Sequence, residues 1–112
     1  MSQITTHILD TAAGRPAAGI AVALFHESDS SQPLAAGTTN EDGRVPGLLP
    51  DEQVLSAGTY RMHFATGPYL ESGEQAAFYP YVDVVFRLDG SGEHYHIPLL
   101  LSPFGYSTYR GS

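Results

Sequence analysis

Two histidines, His94 and His96, stand two residues apart in the segment HYHIPLLLS near the carboxyl end of the chain. Because side chains alternate across a β-strand, both imidazoles would project from one face. Such a pair can bind a metal ion, but no third or fourth ligand has a convincing spacing. Two other histidines, His26 and His63, have no motif around them and are predicted to be surface residues.

Two further residues, His7 and Arg44, are candidates because of their type and setting. His7 lies in TTHILDT, where strand alternation places Thr5 and Leu9 on the same face. Arg44 ends the turn segment NEDGR, in which Gly43 suits a position with positive φ. The planar guanidinium of arginine can bind carbonyl or anionic oxygen. A surface histidine and an exposed turn arginine are the common roles of such residues, so the pattern alone leaves the function of both open.

Composition restricts the kind of protein. The 112 residues fit one domain, predicted to span 1–112. Twelve acidic against five basic residues give a formal net charge of −7, which disfavours binding to nucleic acid or to an anionic membrane. There is no cysteine, which excludes disulfides and thiolate chemistry. The opening MSQITTHILD has no signal-peptide pattern, and the apolar stretch 17–25 is too short to span a bilayer, so a cytoplasmic location is predicted.

Short apolar runs between turn signals predict a mostly β fold, a sandwich or a barrel. Turn segments recur along the chain, among them NEDGR, LDGSG and SPFG. The intervening runs alternate, and the residues predicted to face the core in three of them are Ile20, Val22, Leu24, Tyr60, Met62, Phe64, Val82, Val84, Phe86 and Leu88. Alternation lapses over 68–78, PYLESGEQAAF, where a short helix of one or two turns is predicted.

The segment HYHIPLLLS follows the same alternation. One face is apolar and looks like core; it carries Tyr95, Ile97, Leu99 and Leu101. The opposite face mixes polar and apolar residues; it carries His94, His96, Pro98 and Leu100. Pro98 lacks an N–H group, which disfavours a central, fully paired position in a sheet. A face that mixes histidine with leucine is typical neither of a core nor of a solvent-exposed surface. It predicts an interface or a channel.

The residues taken alone predict no reaction, because no P-loop, G-x-S-x-G, H-E-x-x-H or dinucleotide motif is present. Four separated segments, however, occur in the order found in a known family: THILDT, TNEDGR, FYPYVDVVF and HYHIPLLLSPFGYSTYRGS. On these motifs the chain closely resembles the 5-hydroxyisourate hydrolases, transthyretin-related enzymes of purine catabolism, from about Ile4 to Ser112. The closing YRGS is the signature that separates this family from transthyretin itself.

The resemblance implies a prealbumin-like, that is transthyretin-like, β-sandwich of two four-stranded sheets with one short helix. It also implies a homotetramer, assembled as a dimer of dimers, with active sites in the central channel where the dimers meet. The implied reaction is hydrolysis of 5-hydroxyisourate, which opens its six-membered ring to give 2-oxo-4-hydroxy-4-carboxy-5-ureidoimidazoline in urate degradation. Neither a metal nor an organic cofactor is implied, and neither nucleic acid nor a membrane is an implied partner.

The same resemblance implies, position by position, which residues form the site. The catalytic residues would be His7, Arg44, His96 and Tyr109, and the substrate-binding residues His7, Arg44, Tyr109, Arg110, Gly111 and Ser112. In this scheme the two histidines activate water and Arg44 stabilises charge on the tetrahedral intermediate. Tyr109 would position the substrate or protonate the leaving nitrogen, and the residues after it would shape the pocket. His94 receives no catalytic role, although alternation cannot separate it from His96.

Two other functions remain open on the sequence. A transthyretin-like carrier would bind a small hydrophobic ligand in the same channel without catalysis; the polar channel histidines and the YRGS ending count against it. A non-catalytic β-sandwich that binds a protein partner is disfavoured by the acidic composition and by the lack of an evident cluster of exposed aromatic residues.

Overall fold

The computed structural model describes residues 2–72 and 76–111. Its strands, in chain order, are β1 (Ile4–Asp10), β2 (Arg15–Pro16), β3 (Ala21–His26), β4 (Ala35–Thr38), β5 (Gly58–Phe64), β6 (Val82–Leu88), β7 (Tyr95–Ser102) and β8 (Gly105–Thr108). In this part of the chain one helix, α1 (Thr66–Leu70), lies between β5 and β6. Ser112, a predicted site residue, falls outside the described residues, as do positions 73–75 of the predicted helical segment.

The strands of the described residues form two four-stranded sheets, with the orders β2-β1-β7-β8 and β4-β3-β5-β6. Strands β1 and β7 run parallel, whereas the other neighbouring strands are antiparallel. The predicted fold class, a mostly β sandwich of two four-stranded sheets with one short helix, is confirmed. The parallel β1–β7 ladder brings the first strand of the chain beside the histidine-containing segment.

Alternating apolar residues of the two sheets fill the space between them. The predicted inward faces around β3, β5 and β7 are buried, with side chains at most 7% exposed. In β6, Val82 and Leu88 are buried, whereas Val84 and Phe86 are half-buried because β6 lies at the edge of its sheet. Complete burial of a large apolar side chain contributes about 1.5–3 kcal/mol, so these inward faces hold the sandwich together.

Strand β7 lies in the interior of its sheet, between β1 and β8, which differs from the expectation for a strand that contains Pro98. Pro98 pairs with His7 in the parallel ladder. Regular pairing with β8 ends at Leu99 and Thr108, and the Thr108 hydroxyl donates a 2.7 Å hydrogen bond to the Pro98 carbonyl. The ladder is thus interrupted where Pro98 has no N–H to donate, and a side chain satisfies its carbonyl.

Helix α1 begins before the predicted segment 68–78 and is a single short turn of five residues. Pro68 lies in the first turn, where a backbone N–H has no acceptor within the helix, so proline is tolerated. Gly67 donates its N–H to the Pro80 carbonyl over 3.0 Å, and a Cβ at Gly67 would lie 2.4 Å from that oxygen. This close approach of the segment before β6 requires glycine and fixes where the helix begins.

Strands β6 and β8 are edge strands of different sheets, and exposed aromatic residues lie beside them. The rings of Phe78 and Tyr79 meet edge-on with centroids 4.9 Å apart, and those of Tyr79 and Tyr106 with centroids 5.2 Å apart. Phe78 is 67% exposed and Tyr106 42%. We call these three residues the aromatic edge. The expectation that the chain has no exposed aromatic cluster is therefore wrong.

Candidate active site

The turn that ends at Arg44 packs onto the middle of β1. Asn40 Oδ1 accepts a hydrogen bond from the backbone N–H of Arg44, and Ile8 donates its N–H to the Gly43 carbonyl over 2.8 Å. Gly43 has φ 75°, and a Cβ there would lie 2.4 Å from the Ile8 carbonyl oxygen, so the turn requires glycine. This backbone contact brings Arg44 beside His7.

His7 and Arg44 face each other across an isolated β-bridge. Nη2 of Arg44 lies 3.4 Å from Nδ1 of His7. A guanidinium nitrogen can only donate a hydrogen bond, so Nδ1 accepts and the neutral imidazole carries its proton on Nε2. His7 therefore presents an N–H donor at Nε2.

Thr5 lies opposite His96 in the parallel β1–β7 ladder. Its hydroxyl oxygen Oγ1 is 2.8 Å from Nδ1 of His96 and 2.9 Å from Nε2 of His94. His94 is exposed, whereas Thr5 and His96 are half-buried. Within residues 2–72 and 76–111, Nε2 of His96 has no hydrogen-bond partner. It is the ring atom that remains available to water or a substrate.

The tail of the chain returns alongside β7, so that Gly111 forms an isolated bridge with His96. Gly111 donates its N–H to the His96 carbonyl over 2.8 Å. A Cβ at Gly111 would lie 2.6 Å from Cδ2 of the His96 ring, closer than any side chain allows. The tail thus forms one wall around this imidazole, and glycine is required there.

The side chains of His7, Arg44 and His96, here called the histidine–arginine cluster, influence one another electrostatically. Burial lowers the pKa of His7, and the positive charge of Arg44 lowers it further, against a smaller opposing effect of Asp42. The pKa of His96 is also lowered, first by burial, then by Arg44, with smaller contributions from His7 and His94. The neutral form of both imidazoles therefore predominates at pH 7. Two neutral imidazoles beside a fixed cation suit proton transfer and the stabilisation of negative charge.

Two other predicted site residues, Tyr109 and Arg110, lie elsewhere in the single chain. Arg110 pairs with Glu93, and its guanidinium carbon lies 4.6 Å from the centre of the Tyr95 ring. Tyr109 is 58% exposed. Both residues line a cavity of about 250 Å³ beside β6, which the histidine–arginine cluster does not line. Within one chain, the structure therefore joins Gly111 to that cluster but leaves Tyr109 and Arg110 apart from it.

The described part of the chain holds no group of three or more His, Asp or Glu side chains arranged to bind a metal ion. His94 and His96, the pair with metal-ligand spacing, are instead bridged by Thr5. Among the same residues, no helix has the length and apolar character needed to cross a membrane. The cytoplasmic location stays a prediction from the sequence.

The sequence patterns predicted no role for Thr5 and no catalytic role for His94. The available signal for Thr5 was its place on the same strand face as His7. Alternation along one strand does not, however, give the register between β1 and β7, whose residues Thr5 and His96 are 91 positions apart. That register alone places the hydroxyl between the two imidazoles.

Comparison with known proteins identifies the family. The HIUase/Transthyretin family profile matches residues 4–111. The 5-hydroxyisourate hydrolase of Mus musculus is 46% identical over 114 residues, which cover 99% of this chain and 96% of the mouse protein. The structure of Klebsiella pneumoniae 5-hydroxyisourate hydrolase has a TM-score of 0.84 at 35% identity, over 97% of this chain and 98% of that one. Transthyretin from Sparus aurata has a TM-score of 0.88 at 31% identity, over 99% of this chain and 97% of that one. The chain therefore belongs to the HIUase/Transthyretin family.

Proposed function

We propose that this protein hydrolyses 5-hydroxyisourate and opens its six-membered ring to give 2-oxo-4-hydroxy-4-carboxy-5-ureidoimidazoline, a step of urate degradation. The observation that carries the proposal is the histidine–arginine cluster, in which two neutral imidazoles lie beside a fixed cation. Hydrolysis of a ring amide needs a base for the attacking water and a positive group for the developing oxyanion. Sequence identity supports it too: the mouse hydrolase is 46% identical over nearly the whole chain, and of the two superposed structures the Klebsiella pneumoniae hydrolase is 35% identical and the Sparus aurata transthyretin 31%.

In this proposal His96 activates the attacking water. Its Nδ1 is engaged by Thr5, so Nε2 takes a proton from water as the water oxygen attacks the ring carbonyl. Arg44 stabilises the negative charge on the tetrahedral intermediate, and the Nε2–H of His7 donates a hydrogen bond to the substrate. The bond between the carbonyl carbon and the ring nitrogen then breaks as Nε2–H of His96 returns its proton to that nitrogen. These steps use protein side chains and water, without a metal or an organic cofactor.

The two lowered pKa values predict the acid side of the pH profile. A protonated imidazole has no lone pair for a base, and the lowered pKa values move protonation to below the ordinary ~6.5 of histidine. We expect kcat/KM for 5-hydroxyisourate to decline as the pH falls, with the midpoint of the decline below the ordinary histidine value of ~6.5. Initial rates, corrected for spontaneous decay at each pH, measure this. A decline that is already half complete above pH 7 would contradict the assignment of neutral histidines.

We also propose that the protein assembles as a homotetramer, a dimer of dimers, in which subunits complete the active sites. Edge strands β6 and β8 leave backbone groups without a partner strand, and the aromatic edge adds apolar surface beside them. Tyr109 and Arg110 lie next to these edges, so an adjoining subunit would extend the surroundings of both. In the assembly the tail 109–112, with Tyr109 positioning the substrate, shapes the pocket around the histidine–arginine cluster.

Light scattering tests the assembly. The expected mass is ~48 kDa, four times the 12.0 kDa of one chain. Closed symmetry is expected, because only a closed assembly gives every exposed β6 and β8 edge a partner. The measurement should be made at the protein concentration of the activity assay. A stable monomer that retains full activity would contradict both the tetramer and a site completed between subunits.

The alternative function is a carrier that binds a small ligand without catalysis, which the likeness to transthyretin supports. Decay of freshly generated 5-hydroxyisourate, followed by ultraviolet absorbance, separates the two functions. When the substrate is in large molar excess over the protein, a hydrolase accelerates the decay of all of it. A carrier leaves the decay rate of the excess substrate unchanged, and that result would overturn the proposed activity.

A further inference from the structure

The Thr5 hydroxyl stands between two imidazole nitrogens, 2.8 Å from Nδ1 of His96 and 2.9 Å from Nε2 of His94. A hydroxyl has one proton, so it donates to one nitrogen and accepts from the N–H of the other. When Thr5 accepts from Nδ1–H of His96, it donates to His94, and Nε2 of His96 is left without a proton. When Thr5 donates to His96 instead, the proton of that ring sits on Nε2. The direction of these two bonds therefore decides whether His96 can act as a base or as an acid.

The three groups also lead from the inside of the site to solvent. In the single chain Thr5 and His96 are half-buried, and His94 is exposed on the face predicted to line the central channel. The two rings are nearly parallel, with an interplanar angle of 18° and centroids 6.5 Å apart. The parallel register of β1 and β7 holds Thr5 in place between them. A proton that leaves Nδ1 of His96 thus has a hydrogen-bonded path outward.

We propose that Thr5 and His94 form a proton relay that connects His96 with solvent, as positioning residues in the hydrolysis proposed above, on which this inference rests. When water attacks, Nε2 of His96 takes a proton from it, the Nδ1 proton of His96 passes to Thr5, and the Thr5 proton passes to Nε2 of His94. His94 then releases its Nδ1 proton to solvent. Both imidazoles end neutral with the proton on Nε2, Thr5 is again a hydroxyl, and one proton has left the site.

The second half of the reaction runs the relay backwards. When the bond between carbon and ring nitrogen breaks, Nε2–H of His96 protonates the leaving nitrogen. Thr5 returns a proton to Nδ1 of His96, Nε2 of His94 returns one to Thr5, and His94 recovers its Nδ1 proton from solvent. One histidine thereby serves as base and then as acid, and the starting tautomers are restored.

Electrostatics favours this route over a lasting imidazolium at His96. The positive charge of Arg44 contributes, after burial, to the lowered pKa of His96, so a second positive charge is disfavoured there. His94 is exposed, and water and salt screen a transient charge on its ring. The relay moves the proton from a position where charge is disfavoured to one where charge is solvated.

Kinetics of full-length variants tests the relay. Thr5→Val removes the hydroxyl and keeps the shape of the side chain, and His94→Ala removes the outer ring. Each should lower kcat roughly 10-fold or more with little change in KM, which is less than the ~10²–10⁴-fold loss expected for the general base itself. Thr5→Ser should keep most of kcat. A double Thr5→Val/His94→Ala variant should be no slower than Thr5→Val, because both changes break one relay.

Added imidazole distinguishes a relay from a structural effect. It should restore kcat in His94→Ala, where it can replace the missing ring, and should not restore it in Thr5→Val, where the missing group lies between the rings. The spontaneous decay in the same imidazole buffer is subtracted. Full activity of Thr5→Val, or equal rescue of both variants, would overturn the relay. If Thr5→Val does not fold, the kcat of His94→Ala with and without added imidazole decides whether the relay operates.

Nitrogen-15 NMR of His96 provides a readout that needs no turnover. In the resting wild-type protein we expect the proton on Nδ1, held by Thr5, and in Thr5→Val we expect it largely on Nε2. An unchanged tautomer would contradict the relay. If the wild-type protein does not accelerate 5-hydroxyisourate decay, the proposed hydrolysis has failed, and this tautomer measurement alone decides whether Thr5 sets the proton position of His96.

Discussion

His7→Asn, Arg44→Gln and His96→Asn are each expected to lower kcat for 5-hydroxyisourate by ~10²-fold or more. Asparagine cannot act as a base at position 96, and at position 7 its shorter side chain cannot place a donor where Nε2–H of His7 lies. Glutamine at position 44 can donate hydrogen bonds but carries no charge. The melting temperature should change little, because none of the three side chains belongs to the buried core. Ultraviolet decay rates measure the first effect and thermal unfolding the second.

His26→Asn and His63→Asn are the matched controls. Both histidines lie on the other sheet, where His26 contacts the Ser28 hydroxyl at 2.7 Å and His63 contacts Asp83 at 2.6 Å. Their replacement should leave kcat near the wild-type value. A similar loss of activity in the control and test variants would show that the residue assignment is wrong.

Deletion of residues 109–112 is expected to abolish hydrolysis while the sandwich stays folded. The deletion removes the Gly111 N–H that holds the His96 carbonyl and the backbone that lies against its ring. Of the inward residues of β7, Leu99 and Leu101 keep their burial because strand β8, with which they pair, is retained, whereas Tyr95 loses its contact with Arg110. Activity and circular dichroism of the truncated chain measure the two effects. Full activity of the truncated chain would exclude the tail from the site and strengthen the carrier alternative.

A smaller change at Gly111 tests the same wall without shortening the chain. Gly111→Ala would place a Cβ 2.6 Å from the His96 ring, so the ring or the tail must move and kcat should fall. Gly105→Ala, at the start of β8 before the tail, is the matched control, because its Cβ would meet nothing nearer than the Ser102 hydroxyl at 3.8 Å. Equal activity of the two variants would contradict the role given to Gly111.

The sandwich could be predicted from the sequence because burial on one face of a strand is a local, periodic property. Two details of the fold differ from the prediction, the start of the helix and the position of Pro98, and both depend on tertiary contacts. The helix begins where Gly67 meets the Pro80 carbonyl, and no residue pattern within 68–78 reports that contact. Pro98 is tolerated inside a sheet because regular pairing with β8 ends beside it, at Leu99 and Thr108, and the Thr108 hydroxyl satisfies its carbonyl; alternation along β7 shows neither contact.

The site was predicted less completely from residue patterns. Alternation put His94 and His96 on one face, but the choice between them depends on the register with β1 and on the return of Gly111. The contact between Tyr79 and Tyr106 in the aromatic edge joins segments that are separate in sequence, so composition did not reveal it. The roles of Tyr109, Arg110 and Ser112 came from the family resemblance and stay predictions, the last of them outside the described residues.

The initial rate of 5-hydroxyisourate decay against protein concentration tests the central claim most directly. The substrate is generated immediately before use, kept in large excess over protein, and followed by ultraviolet absorbance with the product identified. The proposed function predicts a rate that rises in proportion to protein concentration, with 2-oxo-4-hydroxy-4-carboxy-5-ureidoimidazoline as the product, and a rise that is nearly lost in His96→Asn. A rate equal to spontaneous decay at every concentration of the wild-type protein would contradict it.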